Sequence, residues 1–337
     1  MGVTILGASG FLGLNLIDVM VAAGVSPRCL HRPRGNLIPL KRRGVERVAI
    51  DLEDAASLIP ALAGNEVCVH LAGHYPRDSR TPEETLARGC KQTQTLLDAA
   101  AAAGVKRFIY VSSTATVAPR ADGSPSTEAD VYPRAPGFGT YHDLKWAMEQ
   151  CVLAERRFEV LVACPGACIG PWDLKVGTSA LLVGMAHDRC PPHPDGTVAL
   201  VDARDVGRAL LALTTHPNPP RRVLLAGRTT RLQTLLTELA HHYGVALPSA
   251  PLTPAAACAL ADAEEARVAG TPERAAIARE IVDLVIHGVP VDAALATATL
   301  GIQWTPFSET LAAFDTWAAR MRIIPARTEA VIPLESP

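Results

Sequence analysis

Tyr141 and Lys145 stand four residues apart in Tyr141-His142-Asp143-Leu144-Lys145, inside a stretch with helical patterning. Four residues is about one helical turn, so both side chains share a face and an ammonium lies beside a phenol. A free phenol titrates at about 10 and is a poor acid or base at neutral pH, but a neighbouring cation favours its ionised form. Upstream, Ser112-Ser113-Thr114 offers consecutive hydroxyls at the end of the apolar run 108–112. Phenol, ammonium and hydroxyl together suit carbonyl reduction, which needs an acid for the developing alkoxide and groups that orient the carbonyl. The same Tyr-Lys spacing is also common on solvent-facing helices, so its weight depends on what accompanies it.

A hydride donor needs a binding site, and the first residues supply one. Gly7-Ala8-Ser9-Gly10-Phe11-Leu12-Gly13 lies between an expected strand at 3–6 and an expected helix at 11–23. Glycines here allow a tight turn, close approach of a pyrophosphate and close packing of helix on strand. The helix N-terminus then presents free N–H groups and a positive dipole end. Gly7, Ser9, Gly10, Phe11, Leu12 and Gly13 are therefore candidate dinucleotide contacts. The second strand ends in His31-Arg32-Pro33-Arg34. An NAD site usually has a carboxylate there, for the ribose 2′-hydroxyl. His31 with Arg32 and Arg34 suits a 2′-phosphate instead, so NADP(H) is preferred, with NAD(H) as the alternative. A solvated basic loop, with Lys41, Arg42 and Arg43 close behind, is the other reading.

The elements that must position these groups are legible. Short apolar runs at 3–6, 28–31, 45–50, 67–71, 108–112 and 160–164 alternate with helical patterns at 11–23, 83–103 and 141–156. Nearly continuous apolar strands imply a parallel sheet covered on both faces, and right-handed crossovers make it a doubly wound Rossmann α/β fold. After about residue 166 prolines punctuate the chain; 198–201 reads as a strand returning to the sheet and 202–213 as a helix, and helices dominate from 248. The expected organisation is a nucleotide-binding domain over 1–165, a substrate-lobe segment over 166–196, a return to the sheet over 197–228, a smaller, mainly helical C-terminal substrate lobe over 229–323, and a tail over 324–337.

Composition excludes several classes. The 337 residues are 48% hydrophobic and 20% charged, with 32 Lys and Arg against 34 Asp and Glu and a formal charge of -2. That is globular composition without a basic tract, which argues against a nucleic-acid partner. No apolar stretch approaches ~18 residues and no signal-like leader is present, so a cytoplasmic protein without a membrane partner is expected. The eight cysteines form no Cys-x-x-Cys, which fits reduced thiols. Cys164 and Cys168, with His187 and His193, match no closed zinc spacing, so no metal is expected.

Further motifs follow in order, and together they resemble the short-chain dehydrogenase/reductase superfamily in its extended, epimerase/dehydratase-type branch. Beyond the glycine loop these are Asp51-Leu52 after the third strand, His70-Leu71-Ala72-Gly73 ending the fourth, Tyr110-Val111-Ser112-Ser113-Thr114 ending the fifth, Tyr141-x-x-x-Lys145, Pro165-Gly166 after the sixth, and Val201-Asp202-Ala203-Arg204-Asp205-Val206. The resemblance implies that Asp51 and Leu52 hold the adenine ring, and that Leu71, Ala72, Gly73, Ser112, Pro165, Gly166, Ala167 and Cys168 lie along the cofactor. Tyr141 is then the proton donor, and Lys145 tunes it and anchors the nicotinamide ribose. The position three before Val117 makes Thr114 the catalytic hydroxyl, with Ser113 as the alternative used in some branches. Two residues depart from the family pattern. Gly89 stands where an asparagine often supports a water relay, and Leu144 stands before the lysine where serine is usual.

The branch acting on sugar nucleotides writes Asn and Tyr where this chain has Gly166 and Ile169. The run Gly170-Pro171-Trp172-Asp173-Leu174-Lys175 looks closer to the dihydroflavonol-reductase-like and 3β-hydroxysteroid-dehydrogenase-like branch. That resemblance implies a ketone or alcohol substrate on a bulky, mostly apolar small molecule. His74, Tyr75, Thr116, Phe138, His142, Ala167, Trp172 and Met185 are candidate pocket walls, each also explicable as packing. The helices at 83–103 and 141–156 resemble the pair that builds a dimer interface in this family, implying a homodimer, although Ala-rich helices also pack internally. An epimerase or dehydratase that recycles its cofactor, and a non-catalytic NADP(H) sensor, are the competing readings.

Overall fold

The computed structural model describes residues 2–33, 35–72, 82–190, 192–271, 273 and 275–325. β1 (Val3–Leu6) leads through the glycine loop into α1 (Phe11–Ala22). Then come β2 (Arg28–His31), the single turn α2 (Ile38–Lys41), β3 (Glu46–Ala49), α3 (Ala55–Leu62), β4 (Val67–His70), α4 (Pro82–Ala102) and β5 (Arg107–Val111). A 3-10 turn (Thr114–Thr116) precedes α5 (Thr140–Ala154) and β6 (Glu159–Pro165). The rest of the chain supplies β7 (Ala167–Ile169), α6 (Ala180–Ala186), β8 (Thr197–Asp202), α7 (Ala203–Thr215), β9 (Arg222–Leu225) and β10 (Arg228–Arg231). It ends in α8 (Leu232–Tyr243), α9 (Pro254–Val268), α10 (Arg279–Ile286), α11 (Ala294–Leu300) and α12 (Phe307–Arg320).

Seven strands form one parallel sheet in the order β3-β2-β1-β4-β5-β6-β9. The order reverses between β1 and β4, the switch point at which ligands bind in open sheets of this kind. Successive residues of each strand feed opposite faces. Ile5, Val69 and Ile109 join Leu14, Ile17 and Leu210 of α1 and α7, whereas Leu6, Cys68 and Phe108 join Leu58, Leu96 and Met148 of α3, α4 and α5. Both faces are thus dry, which is why these strands read as unbroken apolar runs.

The chain's return to the sheet differs from expectation. Residues 198–201 do form a strand, β8, but it pairs with β7 and antiparallel with β10 in a separate three-stranded sheet. The open edge of β6 is filled by β9. Its apolar core, Val223-Leu224-Leu225, is short and follows Pro219-Pro220-Arg221-Arg222, so the longer run at β8 was the more conspicuous strand signal. Around the small sheet, Ile169, Leu182, Met185, Leu200, Leu236, Phe314 and Trp317 pack as a separate lobe core.

Candidate active site

The N-terminus of α5 is set by Gly139, whose φ of 116° few other residues adopt, and by Asp143, which accepts the Gly137 N–H at 2.7 Å. Tyr141, Lys145 and Glu149 then recur every four residues along the helix, on the face turned to the ends of β5 and β6. Lys145 Nζ donates to the Val111 carbonyl at 3.2 Å and lies 5.4 Å from the Tyr110 ring centre and 6.0 Å from that of Tyr141. Burial lowers the ammonium to about 8, opposed by Cys164, Glu149 and Cys168. Burial raises the Tyr141 phenol above its ordinary range, opposed by a hydrogen bond shared with Ser113. At the end of β4, burial and the nearby Lys145 charge push His70 down to about 3, so it stays neutral.

The three consecutive hydroxyls go to different places. Ser112 is 3% exposed and donates to Glu149 Oε2 at 2.5 Å, which places its hydroxyl in a buried network. Ser113, in extended conformation, meets Tyr141 and accepts the Ala115 N–H at 3.1 Å. Thr114 already begins the 3-10 turn. The hydroxyl beside the phenol is therefore that of Ser113, the alternative to Thr114.

The glycine loop is built to bring backbone close to an anion. Gly7 has φ +83°, and a Cβ there would lie 2.8 Å from the Ala72 nitrogen and 2.9 Å from the Leu71 carbonyl carbon. A Cβ on Gly13 would collide with the Gly7 carbonyl. Gly10 caps α1 without a side-chain bond, and no acidic residue occupies the first turn, so the N–H groups beyond Ser9, at Phe11 and Leu12, stay available. This donor set fits a dinucleotide pyrophosphate, with Leu71 and Ala72 forming the far wall.

The loop after β2 lies alongside, with Ser9 Oγ 3.9 Å from where a Gly35 Cβ would stand. There Arg32 is exposed and His31 is buried, its Nδ1 2.9 Å from the Arg32 carbonyl. Asp51 is exposed and accepts the Glu53 N–H, with Leu52 half-buried beside it. At the end of β6, Gly166 fits only because it lacks a side chain; a Cβ would lie 2.5 Å from the Ala199 carbonyl oxygen. Pro165, Ala167 and Cys168 are held there between β8 and β9. Arg34, Gly73, His74 and Tyr75 lie outside the described residues.

The expected pocket walls divide into two groups. Phe138 stacks on His287 with ring centres 3.8 Å apart, and His142 meets both rings edge-on at 5.9 and 6.2 Å. His142 is buried and pushed down to about 4 by burial, with the His287 charge also opposing its protonation, so it is a neutral hydrogen-bonding group. Thr116, Trp172 and Met185 instead belong to packing. Thr116 is 1% exposed and bonded to Glu149, Met185 is fully buried in the lobe core, and Trp172 lies under the Arg43 guanidinium at 4.3 Å and against Trp317. The sequence reading missed α10, which brings Asp283 against Gly139 and Glu280 into the electrostatic surroundings of Tyr141. It also missed Glu149 and Arg222. Extending the four-residue step beyond Lys145 would have found Glu149; Arg222 becomes visible only with the pairing of β9.

The two departures from the family pattern touch each other. A Cβ on Gly89 of α4 would collide with Leu144 Cδ1 and lie 3.4 Å from Met148 Sδ. Gly89 and Leu144 together form a tight apolar contact between α4 and α5 where the family often has polar groups. Among the described residues, no group of three or more His, Cys, Asp and Glu is placed to hold a metal, and no helix is long and apolar enough to cross a membrane.

Residues 3–227 match the family model described as NAD dependent epimerase/dehydratase family. The chain belongs to that family, the extended branch of the short-chain dehydrogenases/reductases, and is an NAD(P)-dependent enzyme. A Synechocystis sp. protein with the provisional name dihydroflavonol 4-reductase is 26% identical over 322 residues, 92% of each chain. Sterol demethylase protein B of Methylococcus capsulatus is 28% identical over 251 residues, covering 74% of this chain and 76% of that protein. Among solved structures, a nucleoside-diphosphate-sugar epimerase from Pseudomonas aeruginosa superposes with TM-score 0.80 at 24% identity, covering 96% of this chain and 99% of that one.

Proposed function

We propose that the protein is an NADP(H)-dependent oxidoreductase that reduces a ketone, or oxidises the matching alcohol, of a bulky and mostly apolar small molecule. The observation that carries this reading is the convergence of Ser113 on the Tyr141 phenol with the Lys145 ammonium, 6.0 Å from the Tyr141 ring centre and one turn along α5. When bound, the nicotinamide supplies or accepts the hydride. Tyr141 Oη gives its proton to the substrate oxygen as the carbon is reduced, so the ketone gains one hydride and one proton and becomes the alcohol. Ser113 donates to the phenolate as it forms, and Lys145 stabilises the same charge. In the reverse direction Tyr141 Oη takes the alcohol proton. Thr114 is the second candidate for the hydroxyl role.

Arg32 supports NADP(H), because a guanidinium suits a phosphate better than a ribose hydroxyl. Gly166 and Ile169 lack the hydrogen-bonding side chains a sugar diphosphate would want, and two relatives are named for a dihydroflavonol and a sterol. Phe138 and His142 border the reacting end. A homodimer through α4 and α5 completes the reading.

The test is titration of nucleotide-free protein with NADPH and NADH, read by energy transfer from tryptophan, followed by turnover on bulky ketones. NADPH is expected to bind at least about tenfold tighter, equivalent to ~1.4 kcal/mol, and to be consumed with one ketone class. Tighter NADH binding overturns the cofactor assignment. Binding without turnover of any ketone or alcohol overturns the reductase reading, and refusal of both cofactors overturns the site itself.

A further inference from the structure

Beneath the Tyr141 site lies a buried polar cluster that carbonyl reduction does not by itself require. Glu149 is 1% exposed and Arg222, from β9, is 8% exposed. Glu149 Oε1 accepts from Arg222 Nε at 2.8 Å. Its other oxygen, Oε2, accepts from the Ser112 hydroxyl at 2.5 Å and the Thr116 hydroxyl at 2.7 Å. Arg222 also donates to Thr116 Oγ1 at 2.9 Å and to the Glu128 carbonyl at 3.0 Å. A single carboxylate oxygen thus grips both sides of Ser113 and Thr114, one by way of the strand end and the other by way of the 3-10 turn.

A buried carboxylate is costly unless paired and fully hydrogen-bonded, and here its bonds come from Ser112 and Thr116 on either side of Ser113 and Thr114, from the Cys164 thiol at 3.8 Å, and from its counter-charge Arg222. Glu149 also sits one turn beyond Lys145. The groups facing that ammonium are Tyr141 and Glu149 on its own helix, Tyr110 on β5, Cys164 on β6, Cys168 on β7 and His70 on β4. Among them Glu149 is the carboxylate, and its Coulombic attraction favours the Lys145 ammonium, while burial holds the phenols and thiols up and His70 down.

We propose that Glu149 is a positioning residue of the active site, with Arg222 as its counter-charge. It holds Ser113 against Tyr141 by clamping Ser112 and Thr116, and it helps keep Lys145 in its ammonium form. The proposal rests on reading Tyr141 and Lys145 as the catalytic pair.

The test separates placement from charge. In nucleotide-free protein, the pH dependence of Lys145 acetylation by acetic anhydride is followed by mass spectrometry of its peptide, and kcat and KM are measured where turnover exists. The wild-type midpoint is expected near 8. Glu149→Gln should move it down by about one unit, a tenfold change in the ratio of charged to neutral amine, and lower kcat at least about tenfold with little change in KM. Glu149→Asp keeps the charge but loses reach, so its midpoint should stay near wild type while kcat falls. Because Glu149→Gln leaves Arg222 unpaired, the double variant Glu149→Gln/Arg222→Gln serves as a better-tolerated comparison, with a smaller downward shift expected. Unchanged midpoint and kcat in folded Gln variants overturn the proposal. A shifted midpoint with kcat unchanged overturns the positioning role, and a wild-type protein that turns over no carbonyl or alcohol overturns the reductase reading on which it rests.

Discussion

In the proposed role, Tyr141 holds its proton until a substrate oxygen takes it, and burial favours that by raising the phenol above its ordinary range. Reduction is therefore expected to run well at neutral pH and to decline above about 8, where Lys145 loses its charge; oxidation, which needs the phenolate, should rise with pH until the same loss. Rate profiles in both directions check this, and a reduction rate climbing from neutral to alkaline pH would contradict the assignment. Tyr141→Phe should lose about 10²–10⁴-fold in kcat while still binding cofactor. Ser113→Ala should fall by about 10-fold or more, and Thr114→Ala by less; the reverse ranking would return the hydroxyl role to Thr114. The Tyr-Lys pair was legible because helical spacing alone puts it on one face. The choice between Ser113 and Thr114 was not, because the strand stops at Val111 and the 3-10 turn begins at Thr114. Between them neither the strand period nor the helix period says where a side chain points.

Elements buried on both faces were the easiest to read. β1, β2 and the helices α1, α4 and α5 lie within a residue or two of their expected ends, because each is defined by apolar periodicity against the sheet. β10, Arg228-Thr229-Thr230-Arg231, carries no apolar signal at all and becomes a strand only by pairing with β8. Between helices, the contact of Gly89 with Leu144 makes α4 and α5 a coupled pair. Gly89→Ala should destabilise the fold by about 1–3 kcal/mol, since Leu144 is 1% exposed and has little room to yield. Adding Leu144→Ala should recover part of that loss, with a coupling of ~0.5–3 kcal/mol measured by denaturant unfolding. Strict additivity would mean the two helices adjust independently, and that the missing relay residues are unrelated substitutions.

At the scale of the whole molecule, nucleotide and substrate regions are interleaved along the chain, not joined end to end. The sheet's sixth strand is complete at Pro165, but the strand that covers its edge starts only at Arg222, after β7, β8 and α7 have been laid down. A fragment ending at residue 196 contains every motif of the cofactor site yet leaves the outer edge of Val162–Pro165, opposite β5, without its β9 partner. Exposed strand edges of this kind template association. The fragment is expected to aggregate and to bind NADPH poorly, whereas one extended through β9 should be more soluble; sedimentation of the two compares them directly. On the ribosome the same arrangement becomes a matter of timing. A nascent chain can display Tyr141 and its glycine loop well before β6 has found β9, and throughout that interval it offers an adhesive border to any other unfinished copy.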